Sequence, residues 1–175
     1  MEKAFTQLGL KILDVIRTSP NSPTFDLKVG GSRLTIKSET GKGTKPESIT
    51  ITKLCTMERE PWTPAVLAER VMAHLSRYDR MLMLRAVWRP DHISYQLAEI
   101  PVDLLKLVGD ARLAPVGRAS EGRRRQSYGA DVTDEEGTAF RVFFDATDGK
   151  CSVRALSVSR CRQLLTWDQP IPIRT

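Results

Sequence analysis

Few of the usual catalytic side chains are available to this chain. Its 175 residues include two histidines, His74 and His92, and three cysteines, Cys55, Cys151 and Cys161. The cysteines have no Cys-x-x-Cys or Cys/His spacing, so neither a disulfide framework nor a zinc site is expected, and a reducing cytoplasm is the expected compartment. No apolar run approaches the ~20 residues of a membrane span, and Met1-Glu-Lys-Ala-Phe-Thr-Gln7 lacks a secretory apolar core, so no membrane association is expected. The phosphate-cradling pattern G-x-x-x-x-G-K-[ST] is missing, since Gly41-Lys42 is followed by Gly43. A nucleophile elbow is missing too, and a small-molecule enzyme of these classes finds no support.

What is there is positive charge and an ordinary core. Lys and Arg number 27 against 21 Asp and Glu, for a net charge of +6 and a pI near 9.5. That balance favours a polyanionic partner, nucleic acid first. With 41% hydrophobic residues, disorder is not indicated, and the length fits ~1 domain.

The stretch Thr24–Glu39 reads as a β-hairpin. Thr24–Val29 and Ser32–Ser38 are rich in β-branched and apolar residues and meet at Gly30-Gly31, which tolerates the positive φ of a two-residue turn. Counting back from the turn pairs Val29 with Ser32, Lys28 with Arg33, Leu27 with Leu34 and Asp26 with Thr35. Because side chains alternate along a strand, Asp26, Thr35, Lys37 and Glu39 share one face, and Phe25, Leu27, Leu34 and Ile36 the other. One face is apolar; the other carries two carboxylates, a hydroxyl and an ammonium.

Around the hairpin, apolar residues at Phe5, Leu8, Ile12 and Val15/Ile16 predict a helix from Glu2 to about Arg17, ended by Ser19-Pro-Asn-Ser-Pro23. The connection Thr40–Pro46 reads as a flexible loop carrying Lys42 and Lys45. Ser48–Cys55 alternates Ile with Thr as a third strand. Thr63 caps a helix with Pro64 first and Leu67, Val71, Leu75 and Tyr78 inward. His74 lies beside that face and reads as a packed or hydrogen-bonded histidine, while Glu69 turns to solvent. Met81–Trp88 reads as a buried strand paired with Ile93–Ala98, and Pro101–Val108 as a short helix. Gly117–Gln126 is a basic loop with Arg118, Arg123, Arg124 and Arg125. Ser127–Thr133 and Thr138–Ala146 form a hairpin about Asp134–Gly137. Cys151–Val158 is a further strand, and Arg160–Trp167 fits strand or helix.

The order α-β-β-β-α-β, with Asp26 opening the hairpin and Lys37 near its end, resembles the core of the PD-(D/E)XK nuclease superfamily, which includes most restriction endonucleases. Phe25-Asp26 stands where that family has Pro-Asp, and Thr35-Ile36-Lys37 stands where it has Asp/Glu-x-Lys. The second carboxylate is absent from its usual place, as in family members with a Ser/Thr-x-Lys variant. Glu39 is the nearest replacement on the same face, Glu47 the second, and Glu69 fits worse. The first helix offers only Glu2 and Asp14, with Gln7 as a polar stand-in. The resemblance implies an α/β (α+β) fold with a mixed central sheet flanked by helices. It implies a single domain, 1–175, with a nuclease-like core at 1–100 and a strand-rich extension at 101–175 for DNA recognition or dimerisation.

It further implies a Mg²⁺-dependent, sequence-specific endonuclease acting on double-stranded DNA as a homodimer. Asp26, Glu39 and the carbonyl of Ile36 would hold the ion, and Lys37 would orient or help deprotonate the attacking water. Lys42, Lys45, Arg118 and Arg123–Arg125 would meet the DNA. The competing reading is a non-catalytic nucleic-acid-binding module, or a subunit of a larger complex, whose hairpin is scaffold.

Overall fold

The computed structural model describes residues 26–57, 61–117 and 125–171, together with the backbone of 15–17. Its strands are β1 (Val15–Arg17), β2 (Leu27–Val29), β3 (Ser32–Glu39), β4 (Ser48–Thr56), β5 (Arg80–Trp88), β6 (His92–Ile100), β7 (Ala114–Val116), β8 (Ser127–Asp134), β9 (Gly137–Asp145), β10 (Lys150–Ser157) and β11 (Arg162–Pro170). The helices are α1 (Pro64–Leu75) and α2 (Val102–Lys106), the latter running on into a 3₁₀ turn at Leu107–Asp110. The fold is mixed α+β, as expected. Among the described residues no helix is long and apolar enough to cross a membrane.

The strands form two sheets, ordered β1-β2-β3-β5-β6-β11 and β4-β10-β9-β8-β7. In the first, β2 and β3 pair in the register counted from the glycine turn, Leu27 with Leu34, Lys28 with Arg33 and Val29 with Ser32. Gly30 and Gly31 adopt φ of +53° and +86°, the left-handed region that suits glycine and matches the twist of a hairpin. After α1 the chain returns as β5, parallel to β3, with Thr35 beside Met81 and Glu39 beside Arg85.

Two expectations need correcting, and one left open is decided. The first helix does not reach Arg17: Val15–Arg17 is a strand antiparallel to β2, and residues 1–14 lie outside the described ones. A three-strand run therefore does precede α1 in the first sheet, but its third member is β1. The expected third strand, β4, crosses into the second sheet and pairs with β10. Finally, the segment read as strand or helix near the C-terminus is β11, antiparallel to β6. Thus each sheet recruits strands from both sides of residue 100.

A core forms where the inner faces of both sheets meet α1. Met81, Met83 and Ile100 come from the first sheet, Leu67, Val71 and Leu75 from α1, and Ile49, Ile51, Phe140, Val142, Phe144 and Val153 from the second. Each such side chain contributes ~1.5–3 kcal/mol relative to an exposed one. The packing also brings together two thiols far apart in sequence, Cys55 and Cys151, which face each other across β4 and β10 and are both buried and free.

Candidate active site

The polar face of the hairpin is turned into the layer between the sheets. Asp26, exposed at the start of β2, accepts hydrogen bonds through Oδ2 from the Thr35 hydroxyl at 2.9 Å and from the Ile36 N–H at 2.7 Å. Thr35 itself is buried, so the carboxylate satisfies two donors that would otherwise be costly to leave unpaired. Lys37 follows two residues on and is half-buried. Burial lowers its pKa from the ordinary lysine value, with the Asp26 charge acting in the opposite direction. A lysine displaced by desolvation next to a carboxylate is the kind of group that concentrates at reactive sites.

Two residues that sequence reasoning gave a packing role lie beside this region. Tyr78, just beyond α1, places its hydroxyl 3.2 Å from Nε2 of His74, the rings edge to face with centroids 5.1 Å apart. Burial and the Asp26 charge raise the Tyr78 phenol, while a hydrogen bond with Thr35 lowers it. Burial, with Lys37 adding to it, pushes His74 down to about 4, so the imidazole is neutral at pH 7. The expectation of a hydrogen-bonded histidine is met. The helix ends at Leu75, short of the expected inward position Tyr78, which is buried from the turn that follows it.

Glu39 is placed elsewhere. Its Oε2 accepts from Nε of Arg85 at 3.1 Å and its Oε1 from the Thr50 N–H at 3.2 Å. Arg85, with no exposed side-chain surface, also donates to Gln96 Oε1 at 2.8 Å, to the Ser48 carbonyl at 2.7 Å, to the Pro46 carbonyl at 3.4 Å and to the Lys45 carbonyl. Thr35, which touches Asp26, lies four residues before Glu39 on β3, ~13 Å at the rise of a strand. Glu39 is paired with a buried cation at the end of β3, away from the Asp26 contacts with Thr35 and Ile36. An arginine inside the otherwise apolar run Met81–Trp88 was the sequence signal for this network.

Of the other expected residues, Glu47 and Glu69 are exposed, Glu69 as its helical phase predicted. The loop 40–47 is not the free connection expected, because Arg85 gathers its carbonyls and Trp88 Nε1 donates to the Thr40 carbonyl at 3.1 Å. On it, the Lys42 ammonium sits 5.5 Å from the centroid of the Trp88 ring, and Lys45 is exposed. The Arg125 guanidinium lies 5.4 Å from the centroid of Trp62; Arg118, Arg123 and Arg124 lie outside the described residues.

Among the described residues no three His, Cys, Asp or Glu side chains are grouped to hold a metal ion. Mg²⁺, however, keeps several waters and is commonly bound through one or two carboxylates with substrate phosphates. Exposed Asp26 supplies one hard carboxylate, so the donor set fits an ion completed by a substrate phosphate rather than a closed protein cage.

A carboxylate and a half-buried lysine thus stand on one hairpin face of a basic α+β protein. Comparison with known proteins points the same way. The chain is 26% identical over 163 residues to the type II restriction enzyme SmaI of Serratia marcescens, covering 92% of this chain and 66% of that enzyme. It therefore stands in a restriction-endonuclease-like relationship, while spanning just under two thirds of that relative's length. No family model and no solved structure matches the chain.

Proposed function

We propose that this chain is a sequence-specific endonuclease of double-stranded DNA, of the PD-(D/E)XK kind, with Asp26 and Thr35-Ile36-Lys37 as its variant motif. The observation that carries the reading is the convergence of Asp26, Thr35 and Lys37 on one hairpin face. The likeness to a restriction enzyme supports it. Asp26, with the Ile36 carbonyl, would hold Mg²⁺, which when bound would supply polarisation of the scissile phosphate and a more acidic water. Lys37 orients the attacking water or helps take its proton, and its charge offsets the negative charge that builds on the phosphorane. Glu39 serves the Arg85 network in this reading and has no part in holding the ion. Lys42, Lys45, Arg118 and Arg123–Arg125 lie along phosphates or reach guanine edges in the major groove. The compartment that fits is the cytoplasm, where the DNA is.

The enzyme works as a homodimer in this proposal, so that two sites meet the two strands of a palindrome. Support comes from β11, the outer strand of the first sheet. All nine of its residues are exposed except for their pairing with β6. Leu165 and Trp167 are 54% and 41% exposed, and Trp167 stacks on Tyr95 with ring centroids 5.2 Å apart. A second copy of β11 laid antiparallel about Leu165 would set Arg162 opposite Asp168 twice, a self-complementary edge. Sedimentation of wild type and Leu165→Glu tests this: the wild type should sediment as a dimer and the variant as a monomer, and a wild-type monomer overturns it.

Incubation with plasmid DNA and Mg²⁺ or Mn²⁺, with an EDTA control, tests the activity. Discrete fragments that disappear with EDTA are expected. The commitment of Glu39 to Arg85, which leaves Asp26 as the one carboxylate of the described residues at the site, favours the second reading, a non-catalytic DNA-binding module. A mobility shift without cutting at any metal concentration would establish that reading instead.

A further inference from the structure

The loop between β3 and β4 spends most of its carbonyl groups on the protein. Trp88 Nε1 donates to the Thr40 carbonyl at 3.1 Å. The Gly41 carbonyl accepts both the N–H and the hydroxyl of Thr44, at 3.0 and 2.8 Å. The Lys45 and Pro46 carbonyls receive Arg85, whose five N–H donors are all used on them, on Glu39, on Gln96 and on the Ser48 carbonyl. The Glu47 carbonyl accepts from the Val158 N–H at 3.0 Å. The donors are treated differently. Gly41, Lys42 and Gly43 are exposed, and among the described residues none of their N–H groups has an acceptor.

Successive N–H groups left over in a turn present the positive ends of their peptide dipoles and make a concavity for an anion. Glycine on both sides of Lys42 leaves that backbone open: a Cβ built at Gly41 or Gly43 meets nothing within 4 Å, so a ligand can come close to the main chain. The Lys42 ammonium, 5.5 Å from the centroid of the Trp88 ring, is kept beside the turn by the ring face. Exposed Lys45 adds a second positive charge. We propose that Gly41-Lys42-Gly43 is a phosphate-binding site, in which main-chain N–H groups and the Lys42 ammonium together take one phosphate of a DNA backbone. Arg85 and Trp88 are its positioning residues, since they draw the carbonyls of the loop away from the anion. That the phosphate belongs to DNA rests on the DNA-binding reading, whereas the site rests on the loop itself. Main-chain donors on a phosphate read no base, so the site strengthens binding to every sequence alike.

The test uses the full chain, labelled with ¹⁵N and titrated with a short DNA duplex and, separately, with inorganic phosphate. The amide protons of residues 41–43 should move downfield with each ligand. Gly43→Ala sets a methyl where the phosphate lies; because that methyl meets no neighbour and the residue is outside the left-handed region, the urea midpoint should hold while duplex affinity falls roughly 10-fold. Lys42→Ala should lower the salt slope of duplex binding by about 1. A duplex that binds without moving these amides, or Gly43→Ala binding as tightly as wild type, overturns the proposal. If the wild type binds no duplex, the DNA-binding reading fails by itself, and the phosphate titration decides the site: shifts at residues 41–43 uphold it, and their absence overturns it.

Discussion

Two carboxylates meet β3 and are treated in opposite ways. Beside its middle, Asp26, which precedes β2, accepts from a hydroxyl and a backbone N–H and is exposed, near a lysine whose charge burial disfavours. At its end, the Glu39 side chain is 14% exposed and pairs with a fully buried arginine that also gathers the carbonyls of Lys45 and Pro46 in the loop and of Ser48 on β4. A surface carboxylate bonded by a hydroxyl and a backbone N–H stays open to solvent and to a ligand. One neutralised by a buried guanidinium becomes part of the architecture, because breaking such a pair strands a charge in the interior. The difference separates, in the reading proposed here, a site beside β3 from a brace at its end.

The largest effect that would sharpen this contrast is on stability. Arg85→Met should cost about 3–5 kcal/mol by urea denaturation, since it leaves Glu39 and the loop carbonyls without their donor. A loss under 1 kcal/mol would remove Arg85 from the role of brace. Next, Lys37→Met should lower cleavage by at least ~10²–10³-fold while DNA binding by mobility shift and the urea midpoint hold. Full cleavage by that variant would defeat the assignment of the site. Glu39→Gln, which keeps an acceptor for Thr50 but loses the charge, should cost about 1–3 kcal/mol and still cut DNA. If it instead abolished cutting with stability unmoved, the two ends of β3 would be one site after all.

The smallest expected effect is on pH dependence. The folded-state pKa of His74, about 4, lies below the ordinary 6.5, so between these values the unfolded chain binds a proton that the folded chain refuses. The His74 contribution to stability is therefore complete above pH 6.5 and is lost as pH falls toward 4. Urea midpoints at pH 7 and pH 5 should show a decline in the wild type that is shallower in His74→Gln. An identical decline in both would mean that His74 is not the buried neutral group found here.

Local patterns carried much of this molecule. The Gly30-Gly31 turn set the register of β2 and β3, and strand alternation put Asp26, Thr35 and Lys37 on one side, because both rules act between residues already close along the chain. The start of α1 at Pro64, the inward face of that helix and the buried run of β5 were legible for the same reason. Misreadings arose where a pattern was short or shared: Val15-Ile16 fits the last turn of a helix as well as a strand, and the Ile-Thr alternation of β4 says that a strand exists but not which sheet receives it.

By itself, then, the sequence determined a basic α+β protein with a carboxylate and a lysine on one hairpin face. The tertiary structure alone decided what each of those groups meets. Strand parity assigns a side chain to a face; only packing chose Arg85 for Glu39 and β10 for β4. Those partners lie 46 residues apart in the first case and, from Lys150 with Thr56 to Ser157 with Ser48, 94 to 109 in the second, and no short-range rule relates such positions. Their pairing follows from the need to satisfy every buried charge and hydrogen-bonding group once the two sheets close on a common core.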